Sequence, residues 1–272
     1  MSTPAYGRYD VPGYIAALRR EGELLAAAAE RAGMSAAVPS CPRWAVRDLL
    51  KHTGYVHRWA TGFVAGGPAR PTGGASEEEI LGQGPGDAEL PGWFREGHAA
   101  LVRALDTAGP DLDCWAFLAA PSPLAFWARR QAHETAIHRA DAEQAASTAG
   151  QESAAPGGLT PFEPMFAADG VDELLMGFLA RNIRRRRWDG LGGSLAVHAD
   201  DGAPGRADWL IAGERDAASV SRGTGQADCD VAGPAAELYL MLWNRRPADA
   251  LRVTGDVGVL AALGRALNVT WS

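Results

Sequence analysis

Three residues in two segments of the sequence have the types and the spacing that a metal site requires. Glu134 and His138 lie four residues apart in the segment HETAIH, so their side chains share one face of a helix. His52 lies in another helical segment, on the apolar face formed by Leu49, Val56, Ala60 and Phe63. Facing helices of a bundle can bring two imidazoles and a carboxylate together, and this ligand set binds zinc or another divalent metal.

The same residue types allow other interpretations. A zinc-protease motif needs two histidines four residues apart, whereas His133 and His138 are five apart and project about 140° from each other, which excludes that motif. His52 could be an ordinary core histidine, and an Arg130–Glu134 ion pair could satisfy the carboxylate without a metal. Two histidines and a carboxylate also describe the facial triad of non-haem iron enzymes.

Polar and aromatic residues near these three carry further expectations. His57 lies about 80° from Leu49 on the other side of the helical wheel, so we expect it at the bundle edge or exposed. Asp141, shortly after His138, could orient that imidazole as a hydrogen-bond acceptor or lie on the helix surface. The motif SCPRW before the second helix is typical of a turn with packing residues, in which Trp44 covers the end of the bundle.

Four long helices are predicted in the first half of the chain. Alanine, leucine and charged residues at helical spacing, with Gly and Pro at the ends, place them at Val11 to Ala32, from after SCPRW to Gly66, at residues 92–108 and at residues 122–146. The Gly-, Pro- and acid-rich stretch from Pro68 to Pro91 is predicted to be a loop with a short turn at EEEIL. Helices of this length favour an antiparallel four-helix bundle.

The second half of the chain has a different pattern. Residues 147–164 have the composition of a linker, so we predict two domains, at residues 1–155 and 156–272. Beyond the linker we predict a helix from about Asp169 to Arg187, then a meander of short strands at SLAVHA, DWLIAG, ASVSR and CDVAG. A helix at PAAELYLMLWNR, a strand at ALRVTG and a helix at VGVLAALGRAL follow. This order is typical of an α+β domain.

Composition restricts the class of partner. The chain has 26 Lys and Arg against 33 Asp and Glu, a formal charge of -7, which favours a small molecule over nucleic acid or an anionic membrane. Without a long apolar run or a signal-peptide pattern, we expect a soluble cytoplasmic protein, either a monomer or a homodimer. The three cysteines, Cys41, Cys114 and Cys229, are widely spaced and predict neither a disulfide framework nor a cysteine zinc site.

At the candidate ligands, the sequence resembles the mycothiol-dependent maleylpyruvate isomerase family. The similar stretches are VPSCPRWAVRDLLKHTGYVHRWA, ARRQAHETAIHRADA and, in the second half, AGPAAELYLMLWNRRPADALRVTGD. The resemblance implies a DinB-like metal-binding helical bundle followed by an α+β domain that is similar to sterol-carrier modules. It also implies that His52, Glu134 and His138 bind the metal.

The resemblance further implies a thiol-dependent activity. A catalytic zinc with three protein ligands keeps an open position, where a low-molecular-weight thiol such as mycothiol is deprotonated. In an isomerase the thiolate adds to a conjugated double bond of a small electrophilic substrate, the resulting single bond rotates, and the thiol is eliminated. Transfer of the thiol to the substrate is the alternative outcome. A non-haem iron enzyme and a non-catalytic binding or regulatory protein also stay open at this point.

The resemblance points to an arginine of the second domain as well. Arg245, in LWNRR, occupies the place where the family has an arginine associated with activity, and its planar guanidinium suits a carboxylate of the substrate or cosubstrate. The adjacent Arg246 competes for this role. The run Arg184 to Arg187 is predicted to be a solvated helix end rather than an anion site. Cys41 is expected to be structural, because the cosubstrate supplies the attacking sulfur.

Overall fold

The structure, a computed structural model, describes residues 9–67, 76–82, 84–150, 158–185, 188, 190–201, 207–213 and 218–267. These residues form two compact units, one of residues 10–160 and the other of Tyr9 with residues 161–267. The predicted domain boundary falls within residues 151–157, which lie outside the described residues, so it stays a prediction. Across the described ranges, no helix combines the length and the apolar character needed to cross a membrane.

The first unit is helical, as predicted. Its helices are α1 (Val11–Ala32), α2 (Val46–Gly66), α3 (Glu77–Leu81), α4 (Leu90–Thr107) and α5 (Pro123–Thr148). Helices α1, α2, α4 and α5 are the four long predicted helices, and α3 is the short turn expected at EEEIL. Helix α1 packs against α5 and α4, and α2 packs against the same two helices. The core between them contains Leu25, Leu49, Leu50, Leu90 and Phe94.

Side-chain caps explain where the helices that carry the candidate ligands begin. The Ser122 hydroxyl accepts a hydrogen bond from the Ala125 amide at 3.1 Å, which fixes the first turn of α5. Helix α2 follows an alanine and has no such cap at its first residue. Instead, the Asp48 carboxylate accepts a hydrogen bond from the Ala45 amide at 2.9 Å, which also places a negative charge at the positive end of the helix dipole.

Residues 34–46, which connect α1 to the first residue of α2, form a short backbone hairpin. The Val38 amide donates to the Trp44 carbonyl at 3.0 Å, the Val46 amide donates to the Ala36 carbonyl at 2.9 Å, and Ala37 pairs with Ala45 in an antiparallel bridge. Val38 is fully buried in the core. These contacts hold the 34–46 hairpin against the bundle, so its side chains have fixed positions near α2 and α5.

Helix α5 is buried along most of its length and carries charged residues into the interior. Arg139 is fully buried, and its guanidinium pairs with Glu21 of α1 at 2.8 Å and with Glu143 of α5 at 2.7 Å. The same guanidinium donates to the Thr160 carbonyl at 2.7 Å. Since buried charges require partners, this network explains why α5 combines interior packing with a polar sequence.

The second unit is α+β, as predicted. A continuous helical stretch comprises α6 (Pro164–Asp172), a π-helical segment (Glu173–Leu179) and α7 (Ala180–Arg184). The strands are β1 (Leu195–Ala199), β2 (Ala207–Ala212), β3 (Ser219–Arg222), β4 (Cys229–Gly233) and β5 (Arg252–Gly255). The remaining helices are α8 (Ala235–Leu242), a 3-10 turn (Ala248–Ala250) and α9 (Val257–Ala266). Arg184 and Arg185 are exposed at the end of α7, as predicted, and the rest of the basic run lies outside the described residues.

The sheet has the strand order β3-β2-β1-β4-β5 and departs from the predicted meander after β3. Strands β1, β2 and β3 are antiparallel neighbours, but β4 returns to pair with β1 in parallel, with Val197 opposite Val231. The meander prediction was wrong at this point because alternation of residue types identifies a strand but not its partner. Asp172 of α6 links the helical stretch to the sheet by accepting hydrogen bonds from Trp209 at 3.0 Å and from Arg222 at 2.6 Å.

Candidate metal centre

The structure brings the three predicted ligands together between α2 and α5. The Nε2 atoms of His52 and His138 each lie 3.3 Å from Oε1 of Glu134. One ligand atom from each of the three residues lies within 4.8 Å of the other two. Both histidines are buried, and the Glu134 side chain is 16% exposed, so the cluster lies just below the surface of the bundle.

The spacing of these atoms fits a divalent metal. Tetrahedral zinc with bonds of about 2.0–2.1 Å places its ligand atoms about 3.3–3.4 Å apart, close to the two measured separations. The donor set of two imidazoles and one carboxylate suits zinc, and also iron. One carboxylate neutralises only half the charge of a divalent cation, so the centre would keep a net positive charge. That these residues bind a metal stays a prediction.

Two outer contacts turn the ligand atoms toward one another. The Arg130 guanidinium donates to Oε2 of Glu134 at 2.9 Å, which leaves Oε1 directed at the histidines. The Arg130–Glu134 ion pair, considered as an alternative to the metal, is therefore compatible with it. The Nδ1 atom of His138 lies 2.9 Å from Oδ2 of Asp141, which is fully buried. Asp141 therefore contacts the imidazole of His138, as one of the two alternatives expected, and the surface alternative was wrong.

The 34–46 hairpin contributes two further side chains to the surroundings of the cluster. The Ser40 hydroxyl donates to Oδ1 of Asp141 at 2.6 Å. The Trp44 ring lies 4.9 Å from the ring of His52 and 6.2 Å from that of His138, measured between centroids. Trp44 was expected only to cover the bundle end, and it covers the imidazoles. Nothing in the sequence pattern pointed to Ser40, because its partner is 101 residues away.

The electrostatics of the cluster favour an ionised Glu134. Burial opposes its ionisation, but hydrogen bonds from His138 and His52 and the charge of Arg130 outweigh burial and hold the pKa of Glu134 well below its usual range. Burial likewise opposes a charged His138, yet hydrogen bonds to Asp141 and Glu134 raise its pKa above the ordinary value. A cation in the cluster would therefore meet a carboxylate that is already deprotonated.

The prediction for His57 was wrong, because this residue is fully buried. Its ring centroid lies 5.4 Å from that of Phe94 and 5.5 Å from that of His98, both on α4. Helix α4 therefore covers the side of α2 that the helical wheel placed at the edge of the bundle. The Thr135 hydroxyl donates to the Gln131 carbonyl at 2.7 Å, and it therefore accepts from Nε2 of His57 at 2.9 Å. His57 forms part of the interior and does not belong to the metal cluster.

A pH dependence of stability follows from these interior histidines. Burial, followed by the charge of His98, lowers the pKa of His57 well below its ordinary value, and burial also lowers the pKa of His98. The unfolded chain binds protons at these sites below about pH 6.5, and the folded chain binds them only at lower pH. The free energy of unfolding is therefore expected to fall as the pH drops below about 6.5, by up to about 1.4 kcal/mol per pH unit for each histidine.

Urea denaturation at several pH values, in protein kept metal-free with a chelator, measures this dependence. His57→Gln keeps an amide donor for Thr135 but does not titrate, so its stability should fall less steeply between pH 6.5 and 5 than that of the wild type. Thr135→Val serves as the matched control, because it loses the same hydrogen bond but retains the imidazole. Equal slopes for the wild type and His57→Gln would contradict the assignment.

Two of the three cysteines, Cys114 and Cys229, are poorly suited to act as an internal nucleophile. Burial raises the pKa of Cys114, partly offset by a hydrogen bond with Trp127, and burial also raises the pKa of Cys229. Their thiols are therefore mainly protonated at neutral pH and poorly nucleophilic. Cys41 is half-buried and packs against the core beside α1 and α2, which is the structural role expected from the sequence.

Cys41→Ser is therefore expected to keep most of the activity and all of the metal. The conservative change removes the sulfur and alters a contact at the margin of the core, so its cost should be confined to stability. Steady-state kinetics and metal analysis on the purified variant test this expectation. Loss of all activity with normal folding and metal content would show that the attacking sulfur belongs to the chain.

Arg245 and Arg246 follow α8 in the second unit, and both are half-buried. The Arg246 guanidinium pairs with Glu237 of α8 at 2.6 Å. The Arg245 guanidinium donates to the Trp243 carbonyl at 2.8 Å. Asn244, which precedes Arg245, has a left-handed backbone with a φ of 57°, so the chain turns sharply between helix and arginine. The roles of both arginines stay predictions.

A helical unit with a His-Glu-His cluster, followed by an α+β unit, defines a candidate metal-binding protein with two units. Comparison with known proteins identifies the family. The family model described as the mycothiol maleylpyruvate isomerase (MDMPI) N-terminal domain matches residues 15–143. The model described as the MDMPI C-terminal domain matches residues 165–262. The chain therefore belongs to the mycothiol-dependent maleylpyruvate isomerase family.

Solved structures show the same fold. The crystal structure of the mycothiol-dependent maleylpyruvate isomerase matches with a TM-score of 0.61, and that of a histidine-to-alanine mutant of the isomerase matches with a TM-score of 0.62. Each is 13% identical to this chain, and each match covers 93% of this chain and 97% of the other. A search of curated protein sequences gave no significant match.

Proposed function

We propose that this protein is a zinc-dependent enzyme that activates mycothiol for the isomerisation of a small electrophilic substrate. The single observation that carries the proposal is the convergence of His52, Glu134 and His138, with ligand atoms within 4.8 Å of one another, in a chain of the isomerase family. The family membership supports the isomerase activity and the thiol. The cluster supports the metal.

The residues of the chain prepare the site for a cation and a thiol. Glu134 and the two imidazoles would hold the metal, which when bound supplies the positive charge that keeps a thiol deprotonated at neutral pH. Arg130 holds the outer oxygen of Glu134, and Asp141 holds the outer nitrogen of His138. Trp44 packs against the imidazole of His52, with the ring centroids 4.9 Å apart.

The proposed reaction needs the thiol only in catalytic amount, because the thiol is released unchanged. The thiolate forms a carbon–sulfur bond at a conjugated double bond, and the electron pair moves to the conjugated carbonyl. Rotation about the resulting single bond is followed by cleavage of the carbon–sulfur bond, which restores the double bond in the other geometry and releases the thiolate. No net proton, electron or thiol is consumed.

We also propose Arg245 as the residue that binds a carboxylate of the substrate or cosubstrate. A guanidinium binds a carboxylate through two parallel hydrogen bonds, which both orients and neutralises it. Arg245 is favoured for this role because it occupies the place where the family has an arginine associated with activity, and the Arg246 guanidinium pairs with Glu237 of α8.

The test combines metal analysis with an assay for the isomerised product. The purified protein should contain about one equivalent of zinc, and it should isomerise maleylpyruvate only when mycothiol is added. Treatment with a chelator should abolish the activity, and zinc should restore it. Accumulation of a stable thioether would identify thiol transfer instead of isomerisation. Iron in place of zinc would identify an iron enzyme. A bound metal without turnover would indicate a non-catalytic binding protein.

A further inference from the structure

We propose that the 34–46 hairpin is a positioning element of the metal centre, in which Ser40 orients the ligand His138 through Asp141. This inference rests on the proposed metal site and adds residues that do not bind the metal themselves. Its basis is a chain of hydrogen bonds that runs from the hairpin to the cluster. The Ser40 hydroxyl donates to Oδ1 of Asp141 at 2.6 Å, and Oδ2 of Asp141 lies 2.9 Å from Nδ1 of His138.

The hydrogen bonds determine which nitrogen of His138 faces the cluster. A carboxylate that accepts at both oxygens cannot rotate freely, and Asp141 is fully buried, so the loss of either contact is costly. Its Oδ2 therefore stays opposite Nδ1 of His138 and favours the form of the ring that carries its proton on that atom. Nε2, which lies 3.3 Å from Oε1 of Glu134, is then the ring nitrogen left to bind a metal in place of its proton.

The backbone of the hairpin keeps Ser40 in place. Hydrogen bonds between Val38 and Trp44 and between Val46 and Ala36 close the hairpin on both sides of Ser40, and the side chain of Val38 is buried in the core. The same hairpin carries Trp44 over the rings of His52 and His138. The 34–46 hairpin therefore supports the Nδ1 side of His138 through Asp141 and also covers the rings of His52 and His138.

Ser40→Ala tests the inference through metal affinity. Without the hydroxyl, Asp141 loses a partner and His138 is less well oriented, so the zinc Kd should rise about 10- to 100-fold, as is typical when an outer partner of a ligand is removed. Competition with a chromophoric chelator measures the Kd, and the absorption spectrum of the Co²⁺-loaded protein reports the coordination geometry. Ser40→Thr, which keeps the hydroxyl, should restore most of the affinity.

Ser76→Ala provides the matched control, because the Ser76 hydroxyl forms its hydrogen bonds with Glu79 at the start of α3 rather than with Asp141. That variant should bind zinc as the wild type does. A Ser40→Ala protein with the wild-type zinc Kd and Co²⁺ spectrum would overturn the inference while the metal site stands, even if urea denaturation of the metal-free protein showed a loss of stability. A wild-type protein that binds neither zinc nor Co²⁺ would overturn the metal site itself, and the inference with it.

Discussion

Alanine at His52, Glu134 or His138 is expected to reduce the bound metal from about one equivalent to a small fraction. Each residue would supply one of the three proposed protein ligands, so its loss should weaken binding by more than the 10- to 100-fold typical of an outer partner. Activity should fall with the metal. Elemental analysis of the purified variants, after dialysis against a buffer of fixed free zinc, measures the effect.

Two histidines on the same helices provide matched controls. His57 of α2 and His133 of α5 are both fully buried, so His57→Ala and His133→Ala should lose stability by creating cavities. Both variants should nevertheless keep the metal, because neither residue belongs to the three-residue cluster. Circular dichroism establishes that each variant is folded before its metal is measured. Equal metal loss in His133→Ala and His138→Ala would contradict the assignment of ligands on α5.

Glu134→Gln separates charge from shape at the same site. The amide has nearly the size of the carboxylate and could still accept a hydrogen bond from Arg130, but it brings no negative charge to a divalent cation. Metal loss comparable to that of Glu134→Ala is therefore expected. Full retention of zinc in Glu134→Gln would show that the carboxylate serves Arg130 rather than a metal.

The candidate ligands could be predicted from the sequence because helical periodicity fixes their directions. Glu134 and His138 share a face at any position of a regular helix, and His52 follows the apolar residues that must face the interior. These relationships depend on local geometry alone. The family resemblance then connected two segments that lie 82 residues apart. The long helices and the α+β order of the second unit could be predicted for the same local reasons.

The features that escaped prediction depend on contacts between distant segments. His57 was misplaced because a wheel with one apolar face assumes one buried side, whereas α4 covers a second side of α2 with Phe94 and His98. The parallel pairing of β4 with β1 is a choice of partner, which alternation along a strand does not encode. Ser40 lies in a turn whose composition predicts only a turn, and its role depends on a carboxylate of α5.

Arg245→Ala is expected to lower kcat/KM by about 2 to 5 kcal/mol, or about 30- to 5,000-fold, without loss of metal or fold. This is the cost of removing one partner from a buried pair of opposite charges, since the carboxylate of the bound molecule would remain desolvated and unpaired. The metal should be retained, because Arg245 lies in the second unit and the three candidate ligands lie in the first. Steady-state kinetics at saturating and limiting mycothiol would show which of the two molecules the arginine binds.

Arg246→Ala is the control that makes this prediction specific. It removes a neighbouring guanidinium of the same size, whose ion pair with Glu237 is half-exposed and therefore contributes only about 1 kcal/mol or less to stability. Its kcat/KM should remain close to that of the wild type. Arg245→Lys should recover only part of the activity, because an ammonium group keeps the charge but cannot form two parallel hydrogen bonds with a carboxylate. If Arg246→Ala is inactive and Arg245→Ala is active, the carboxylate is bound by Arg246 and not by Arg245.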